Sequence, residues 1–370
     1  MVVDQLARHF TSLGHEVVVL AQHGSRRGTA LEVNVPYRLV RYGKPFSQVW
    51  GIPTVRRALS KLYATWRFDL IHSHSCYPTG FAALKFSRKK NIPLVVTSHG
   101  GDLADDSRFR TRSVIMKRCR ETLEQADAVT FISSYMKKSI LEIAPDCAPH
   151  LHSIPNGVDC AALTQKTSEL PVVAQHHHLK PNSFVLFLGR LHNRKGVDVL
   201  IESFCRVSGK NSDAHLVVAG EGNELSVLRE ESTKSGLENR IHFVGSVQGA
   251  DKLWLLQNCQ CLVLPTRTRE TFGLVLLEAM INRKPVIGTQ LGGILDLIEQ
   301  NKNGFLVRPN DADDLALALE KILSNERLGM EMGDRAAEKA LLYDWPTVAR
   351  QYISLFEALL KKSLRETVPA

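Results

Sequence analysis

The stretch Arg267-Thr-Arg-Glu-Thr-Phe-Gly-Leu-Val-Leu-Leu-Glu278 carries two carboxylates across a predicted turn from strand to helix. The apolar run 261–265 predicts a buried strand ahead of it, and a helix is predicted to start near Gly273. In a parallel sheet such a helix begins at the ligand crevice, where its free N–H groups favour a phosphate. Glu270 in the loop and Glu278 inside the helix would therefore bracket a ligand and accept hydrogen bonds from its hydroxyls. The alternative is an exposed acidic pair, which fits poorly with the Phe-Gly between the glutamates and the strand before them.

A second cluster of charge follows another predicted strand, in Phe184-Val-Leu-Phe-Leu-Gly-Arg-Leu-His-Asn-Arg-Lys-Gly196. Arg190, Arg194 and Lys195 occupy the turn before the next helix, which Gly196 opens. Arginine offers a planar fork and lysine a point charge, and both suit a diphosphate. A basic turn without function would be common for one charge, but three at a strand's carboxyl end favour an anion site.

Short apolar runs alternate with helical patterns along the chain, which predicts parallel sheets built from βαβ units. Several runs are apolar throughout, as expected when helices cover both faces of a sheet. The series restarts after about residue 180, so we predict two doubly wound α/β domains. The predicted strands are 16–20, 69–72, 93–97, 128–132, 152–155, 184–188, 215–219, 241–244, 261–265, 285–288 and 305–307.

The domain boundary is expected in a stretch without clear periodicity, 160–182. We predict an N-terminal domain at 1–165, a C-terminal domain at 166–345, and a final helical segment at 346–370 that returns toward the N-terminal domain. The boundary stretch includes His176-His177-His178, which could hold a metal. No Cys, Asp or Glu is adjacent in sequence, so a polar linker is the favoured interpretation.

The sequence opens on an amphipathic helix that ends at Gly14 and leads straight into a strand. In a parallel sheet a helix in this position normally follows a strand. We therefore expect the first strand, and the turn that would bind anions in front of the helix, to be missing. A truncated gene model or a decayed enzyme would explain such a start.

Composition is that of an ordinary soluble protein, with 44% hydrophobic and 23% charged residues. The seven cysteines are scattered, which favours a reducing cytoplasm over a disulfide framework. The apolar runs are too short to span a bilayer, and the N-terminus lacks the pattern of a signal peptide.

The net charge of +9 is concentrated in the first half. Residues 1–165 hold 22 Lys and Arg against 13 Asp and Glu, whereas 166–370 hold 25 of each. This asymmetry indicates either an anionic partner for the first half or a solvated basic face, and the sequence does not choose between them. Nucleic acid is not an expected partner, because no nucleic-acid motif accompanies the charge. The densest basic positions are Arg88, Lys89, Lys90, Arg108, Arg110, Arg112, Lys117, Arg118 and Arg120.

These motifs together resemble the retaining group-one glycosyltransferases, a family with the GT-B architecture and a donor domain like that of glycogen synthase. Glu270 and Glu278 match the family's pair of glutamates separated by seven residues, and Gly189 to Gly196 match its Gly-Arg-x-x-x-x-Lys-Gly element. The match covers nearly the whole chain. Further segments that agree in order are Asp69-Leu-Ile-His-Ser-His74, Ser98-His-Gly-Gly-Asp102, Ile154-Pro-Asn-Gly-Val-Asp159, Val217-Val-Ala-Gly-Glu-Gly222 and Phe243-Val-Gly245.

The resemblance implies two Rossmann-like domains whose parallel sheets face each other across a cleft, and a role for each matching residue. Arg190 and Lys195 would bind the donor diphosphate, and Glu278 would hold ribose hydroxyls. The sugar and phosphates would be held by Glu270 and by the backbone of Thr271, Phe272, Gly273 and Leu274. His99 would face the sugar and the acceptor, so the residues implied as catalytic are His99 and Glu270. His72 and His74 share a face of one strand, where a supporting role is favoured over catalysis. One departure is Arg283, where the family usually has glycine.

The implied reaction moves a hexosyl group from a nucleotide-diphosphate sugar to an acceptor with retention at the anomeric carbon. No cofactor is expected, and no metal is expected to be essential, because cationic side chains and the helix end would take its electrostatic role. The basic first domain suggests an anionic or lipid-linked glycan acceptor, in the biosynthesis of a surface polysaccharide. Such an enzyme would be cytoplasmic and peripheral on the inner face of the membrane. Two alternatives remain open: a sugar-nucleotide epimerase of the same fold, and a non-catalytic sugar-nucleotide-binding remnant.

Overall fold

The computed structural model describes residues 2–22, 35–42, 51–105, 107, 109–165, 171–209 and 213–367. This described part of the chain forms two compact units. The first contains the residues up to Gly157 and those from Trp345 onward, and the second is Val158–Asp344.

All strands of the described residues lie in parallel sheets. They are β1 Val18–Gln22, β2 Arg38–Tyr42, β3 Ile71–Ser73, β4 Leu94–Thr97, β5 Ala128–Phe131, β6 Leu151–Ser153, β7 Phe184–Leu188, β8 His215–Ala219, β9 Ile241–Gly245, β10 Cys261–Leu264, β11 Val286–Thr289 and β12 Gly304–Val307. In the first unit they form a two-stranded sheet, β1-β2, and a four-stranded sheet, β3-β4-β5-β6. The second unit has one six-stranded sheet in the order β12-β11-β10-β7-β8-β9. The predicted fold class of two α/β units with parallel sheets is therefore confirmed.

Helices connect and cover the strands. They are α1 Val2–Ser12, α2 Gly51–Thr65, α3 Phe81–Lys90, α4 Ser113–Gln125, α5 Ser134–Ile143, α6 Cys160–Leu163, α7 Val172–His176, α8 Val197–Ser208, α9 Leu225–Lys234, α10 Gly249–Asn258, α11 Leu274–Met280, α12 Ile294–Leu297, α13 Ala312–Leu323, α14 Glu326–Leu341 and α15 Trp345–Thr367. Short helical turns span Cys76–Gly80, Pro145–His150 and Asn193–Lys195.

The centre of the second unit is the pair β7 and β10, whose residues are apolar because helices cover both faces of the sheet. Leu186 and Leu262 lie opposite each other in this pair, and Leu262 also faces Val286 on the other side. Neighbouring parallel strands end at the same edge of the sheet. The turns that follow β7 and β10, which carry the two charged motifs, therefore lie side by side.

The C-terminal helix α15 belongs to the core of the first unit. Phe10 of α1 lies edge-on to Tyr352 and Phe356 of α15, with ring centroids 6.2 and 5.6 Å apart. The Tyr352 hydroxyl lies 3.3 Å from the hydroxyls of Thr97 in β4 and Thr130 in β5. The last helix is thus joined by packing and by hydrogen bonds to the sheet and the first helix of this unit.

One strand was missed by the sequence reasoning. Arg38-Leu-Val-Arg-Tyr42 forms β2, which pairs with β1 along its full length. Its two arginines obscure the apolar signal, and its residues are half-buried or exposed because β2 has β1 as its one neighbour among the described strands.

Candidate active site

In the second unit, hydrogen bonds join the turn after β7 to the turn after β10. The carbonyl of Arg194 accepts hydrogen bonds from the Thr266 hydroxyl at 2.9 Å and from the backbone N–H of Arg267 at 2.8 Å. Gly196 has a φ of 64°, and a Cβ there would lie 2.2 Å from the Pro265 carbonyl oxygen. Only glycine allows this approach, so the sequence itself sets the distance between the two turns.

This approach places Lys195 against Glu270. The Lys195 ammonium donates to Glu270 Oε1, and the two side chains are 25% and 22% exposed. The structure therefore brings together the lysine of one predicted motif and the first glutamate of the other. An ion pair with this much exposure can open to solvent. A phosphate can then replace the Glu270 carboxylate as the partner of the Lys195 ammonium.

Glu270 is held by its backbone as well as by its side chain. Its carbonyl accepts from the N–H of Gly293 at 2.7 Å, and a Cβ at Gly292 would lie 2.2 Å from that carbonyl oxygen. Beyond it, the buried Phe272 ring lies 5.9 Å from the Tyr343 ring. Gly273 has a φ of 99° and is the residue before α11, which confirms the predicted start of the helix. Thr271, Gly273 and Leu274 are half-buried at this turn.

Glu278, the second glutamate, is 8% exposed in α11. Its Oε1 accepts a hydrogen bond from the Lys252 ammonium at 2.8 Å. Its Oε2 is buried and has no hydrogen-bond partner among the residues that the structure describes. A buried carboxylate oxygen left in this state costs free energy unless a ligand donates to it.

Lys252 was not found by the sequence reasoning. It lies on α10, 26 residues before Glu278, in a helix with no recognisable motif. The pairing depends on how α10 packs beside α11, and nothing in the local sequence signals it. Arg190, which was predicted, lies in the turn directly after Gly189 with an exposed side chain.

In the first unit, His99 follows β4 and stacks on His74, with ring centroids 5.4 Å apart and planes at 10°. His99 Nε2 and His74 Nδ1 are 3.1 Å apart and share a hydrogen bond. Burial lowers the pKa of His99 to about 4 and that of His72 to about 3. These rings are therefore neutral at pH 7, and His99 can donate one hydrogen bond but cannot act as a charged acid there.

His72 and His74, for which the sequence predicts a supporting role, contact each other. Their ring centroids are 4.1 Å apart, and His72 Nε2 lies 2.7 Å from the Thr97 hydroxyl. Asp102, which ends the predicted His99 loop but was given no role, is buried and accepts hydrogen bonds from the Ser98 hydroxyl at 2.6 Å and from the N–H groups of Cys76 and Tyr77. It fixes the loop on which His99 stands.

The basic positions of the first unit lie mainly on α3 and α4. Arg88, Lys89 and Lys90 are exposed at the end of α3, and Arg112, Lys117 and Arg120 are exposed on or beside α4. Part of this charge is paired: Arg110 lies 3.3 Å from Asp105 and 3.5 Å from Glu142. Arg108 lies outside the described residues.

Within the described residues, the three adjacent histidines are not arranged with other side chains as a metal site. His176 ends α7, and His177 packs against His176 and His242. No helix in the described part of the chain is long and apolar enough to cross a membrane.

Two units with parallel sheets of this kind are shared with solved glycosyltransferases. Anabaena HepE in complex with UDP superimposes with a TM-score of 0.80 at 20% identity, covering 93% of this chain and all of that one. Sucrose-phosphate synthase from Thermosynechococcus elongatus gives a TM-score of 0.80 at 22% identity, covering 97% of this chain and 93% of that one. The fold is thus the GT-B fold of glycosyltransferases.

Sequence comparison places the chain within this class. The family model for glycosyl transferases group 1 matches residues 173–339, and that for glycosyltransferase family 4 matches residues 1–162. The phosphatidyl-myo-inositol mannosyltransferase of Mycolicibacterium smegmatis is 28% identical over 366 residues, which cover 96% of this chain and 89% of the relative. The two glycosyltransferase models together match most of the chain, and this similarity supports a group-one glycosyltransferase.

Proposed function

We propose that the chain transfers a hexosyl group from a nucleotide-diphosphate sugar to an acceptor, with retention of the anomeric configuration. The observation that carries this proposal is the buried Glu278 carboxylate, which has one oxygen held by Lys252 and the other without a described partner. Ribose presents adjacent hydroxyls, which are the donors that such an oxygen requires. The structural relative solved with UDP supports a nucleotide donor for this chain as well.

The donor would extend from Glu278 toward the Lys195–Glu270 pair. Lys195 and Arg190 would bind the diphosphate, and the backbone from Thr271 to Leu274 would approach its oxygens. Glu270, released from Lys195 when the diphosphate binds, would accept hydrogen bonds from the sugar hydroxyls. A glutamate held from both its side chain and its backbone suits positioning, because the sugar must be oriented before it can react.

The chemistry would depend on stabilising the leaving diphosphate. Negative charge grows on it as the glycosidic bond breaks, and Lys195 and Arg190 would lower the energy of that state. We propose that the leaving phosphate takes the acceptor proton, so that no protein nucleophile is needed and cationic side chains supply the electrostatic role of a metal. His99, which burial keeps neutral at pH 7, would donate a hydrogen bond to the sugar.

The donor site is tested by calorimetric titration of UDP and GDP against the protein and the Lys195→Ala variant. We expect the variant to bind about tenfold or more weakly, since a charge-assisted hydrogen bond is worth roughly 1.5–3 kcal/mol. Lys234→Ala is the matched control, because Lys234 is an exposed lysine on α9 of the same unit. Equal affinity of the Lys195 variant and the unchanged protein would refute the assignment.

We further propose an anionic or lipid-linked acceptor and a cytoplasmic enzyme held on the inner face of an anionic membrane. The exposed basic residues of α3 and α4 support this, and the relative from Mycolicibacterium smegmatis is named a phosphatidyl-myo-inositol mannosyltransferase. Each lysine or arginine near such a surface contributes about 1 kcal/mol, and salt weakens the attraction.

Sedimentation with phosphatidylserine vesicles tests the membrane contact. Binding should fall as NaCl rises from 50 to 500 mM, and it should fall at low salt in a Lys89→Glu, Lys90→Glu, Lys117→Glu variant. Zwitterionic vesicles are the control for non-specific adsorption. If binding to the anionic vesicles is absent or insensitive to salt, the membrane contact is wrong and the donor assignment is unaffected.

A further inference from the structure

Arg267 lies in the turn after β10, and its guanidinium reaches two other turns of the second unit. Its Nη1 donates to the Asn193 carbonyl at 2.9 Å, and its Nε donates to Asn310 Oδ1 at 2.6 Å. Its Nη2 donates to the Asp198 carboxylate in the first turn of α8. Asn193 lies in the turn after β7, and Asn310 in the turn after β12. One side chain therefore connects the turns that follow three strands of the same sheet.

The Arg267 side chain lies along the turn that carries Lys195. A Cβ at Gly196 would lie 3.7 Å from Arg267 Cγ, so the arginine stem packs directly over this glycine. The backbone N–H of Arg267 donates to the Arg194 carbonyl at 2.8 Å, and its guanidinium donates to the Asn193 carbonyl. The two carbonyls that precede Lys195 thus both accept hydrogen bonds from one residue.

This set of contacts suits an arginine. The guanidinium is planar and always charged, and it presents its N–H groups at fixed angles, whereas a lysine ammonium is a point charge on a flexible stem. The bond to Asp198 is charge-assisted, which makes it stronger than a bond between neutral groups. The side chains of Arg267 and Asp198 are 21% and 35% exposed, so the arginine is the better covered of the two. The guanidinium is therefore held in one orientation from three sides.

We propose that Arg267 is a positioning residue for donor binding, whose guanidinium fixes the turn 193–196 and so sets the place of the Lys195 ammonium. This role rests on the proposed function, in which Lys195 binds the donor diphosphate. When the phosphate replaces Glu270 as its partner, Lys195 loses the carboxylate that orients it in this structure. The backbone beneath Lys195 must then supply the orientation. Such precision matters, since a misplacement of about 1 Å can cost up to about 100-fold in rate.

Arg267 would act through Lys195 rather than on the donor. Its Nε, Nη1 and Nη2 each donate to an acceptor of the protein, and the Asp198 carboxylate balances its charge. A residue that acts only through a second one has no effect of its own once the second one is removed. A double-mutant cycle therefore separates a positioning role from a direct contact with phosphate.

The cycle is measured by calorimetry with UDP and uridine, or with GDP and guanosine if GDP binds more tightly. Arg267→Met should weaken binding of the nucleotide at least about threefold, but less than Lys195→Ala does, because the lysine charge remains. The affinity for the nucleoside should not change, since a nucleoside has no phosphate for Lys195 to bind. In the Lys195→Ala background, Arg267→Met should have no further effect on nucleotide affinity.

Two further variants control for the loss of an ion pair and for folding. Arg206→Met is the matched control, because Arg206 pairs with Glu202 and Asp313 at the opposite end of α8 from the turn. It should leave nucleotide affinity unchanged. Asp198→Asn removes the charge of the carboxylate but keeps its shape, so it should weaken nucleotide binding about twofold and test the role even if Arg267→Met does not fold.

Amide exchange measures the positioning of the turn without any nucleotide. The Lys195 N–H donates to the His192 carbonyl at 2.7 Å, and the Gly196 N–H donates to the Asn193 carbonyl at 3.1 Å. Both amides should exchange at least about fivefold faster in Arg267→Met than in the unchanged chain. Their exchange should be unchanged in Arg206→Met.

The outcomes distinguish this proposal from the proposed function. If Lys195→Ala weakens nucleotide binding and neither Arg267→Met nor Asp198→Asn does, the positioning role is wrong and the donor site stands. The role is also wrong if the losses of Arg267→Met and Lys195→Ala multiply in the double variant, which indicates direct contact with phosphate. An equal loss of nucleoside and nucleotide affinity would contradict it too, because that indicates general damage to the unit. If Lys195→Ala changes nothing, the donor assignment itself fails, and the positioning role fails with it.

Discussion

Acidification is expected to destabilise the first unit through its buried histidines. Burial lowers the pKa of His72 to about 3 and that of His99 to about 4, whereas an unfolded histidine titrates near pH 6.5. Because the folded pKa values are depressed, the unfolded state binds more protons below pH 6.5. Their stabilising effect is complete above that pH and is lost as the pH falls through 6.5 toward the folded values.

The size of this loss follows from proton linkage. At pH 5, a histidine whose pKa rises from about 4 or less to about 6.5 on unfolding costs about 2 kcal/mol. His72 and His99 together should therefore remove about 4 kcal/mol of the free energy of unfolding between pH 7.5 and pH 5. That is a large part of the stability of an ordinary domain.

Urea unfolding at pH 7.5 and pH 5 measures the loss. The His72→Gln variant should lose about 2 kcal/mol less than the unchanged chain over this interval, whatever its stability at pH 7.5. His15→Gln is the matched control, because His15 is exposed in the same unit. The reasoning is refuted if His72→Gln and the unchanged chain lose the same free energy, or if NMR shows the His72 ring titrating near pH 6.5.

Three further substitutions test other contacts. Lys252→Met leaves the buried Glu278 carboxylate unpaired, so it should cost about 2 kcal/mol of stability and weaken UDP binding. Lys252→Arg should restore both the stability and the affinity in part. Thermal melts measure the stability, and calorimetry measures the affinity. Gly292→Ala should lower the free energy of unfolding by more than about 2 kcal/mol, because its Cβ would strike the backbone. Gly236→Ala, at φ 70° in open space, should lower it by about 1 kcal/mol. Urea unfolding compares the two variants. Gly157→Ala would place its Cβ 2.4 Å from the Trp345 ring and should lower the Tm of the first unit, with unchanged UDP affinity as the check that the second unit is intact.

The sequence predicts most of the second unit because its signals are local. β7 and β10 are apolar from end to end, and the charged residues stand at fixed positions just after them. Lys195 and Glu270 lie 75 residues apart, yet they meet because each follows one of two neighbouring strands. Strand order and turn position are enough to bring such residues together.

The residues that the sequence did not reveal depend on packing between elements. Lys252 reaches Glu278 because α10 packs beside α11, which no periodicity predicts. Asp102 accepts hydrogen bonds from a turn 25 residues earlier in the chain. β2 was not predicted, because its two arginines break the apolar pattern. The predicted roles of the donor residues and His99 stay predictions until the binding experiments are done.

The first unit is assembled from both ends of the polypeptide, whereas the second is continuous. During synthesis the second unit can therefore complete its core while the first still lacks Trp345 and Tyr352, which pack with Leu6 and Phe10. A stop codon shortly before Trp345 would leave the second unit whole but would remove residues that pack in the core of the first unit. Substitutions in α1 and in α15 should consequently destabilise the same unit.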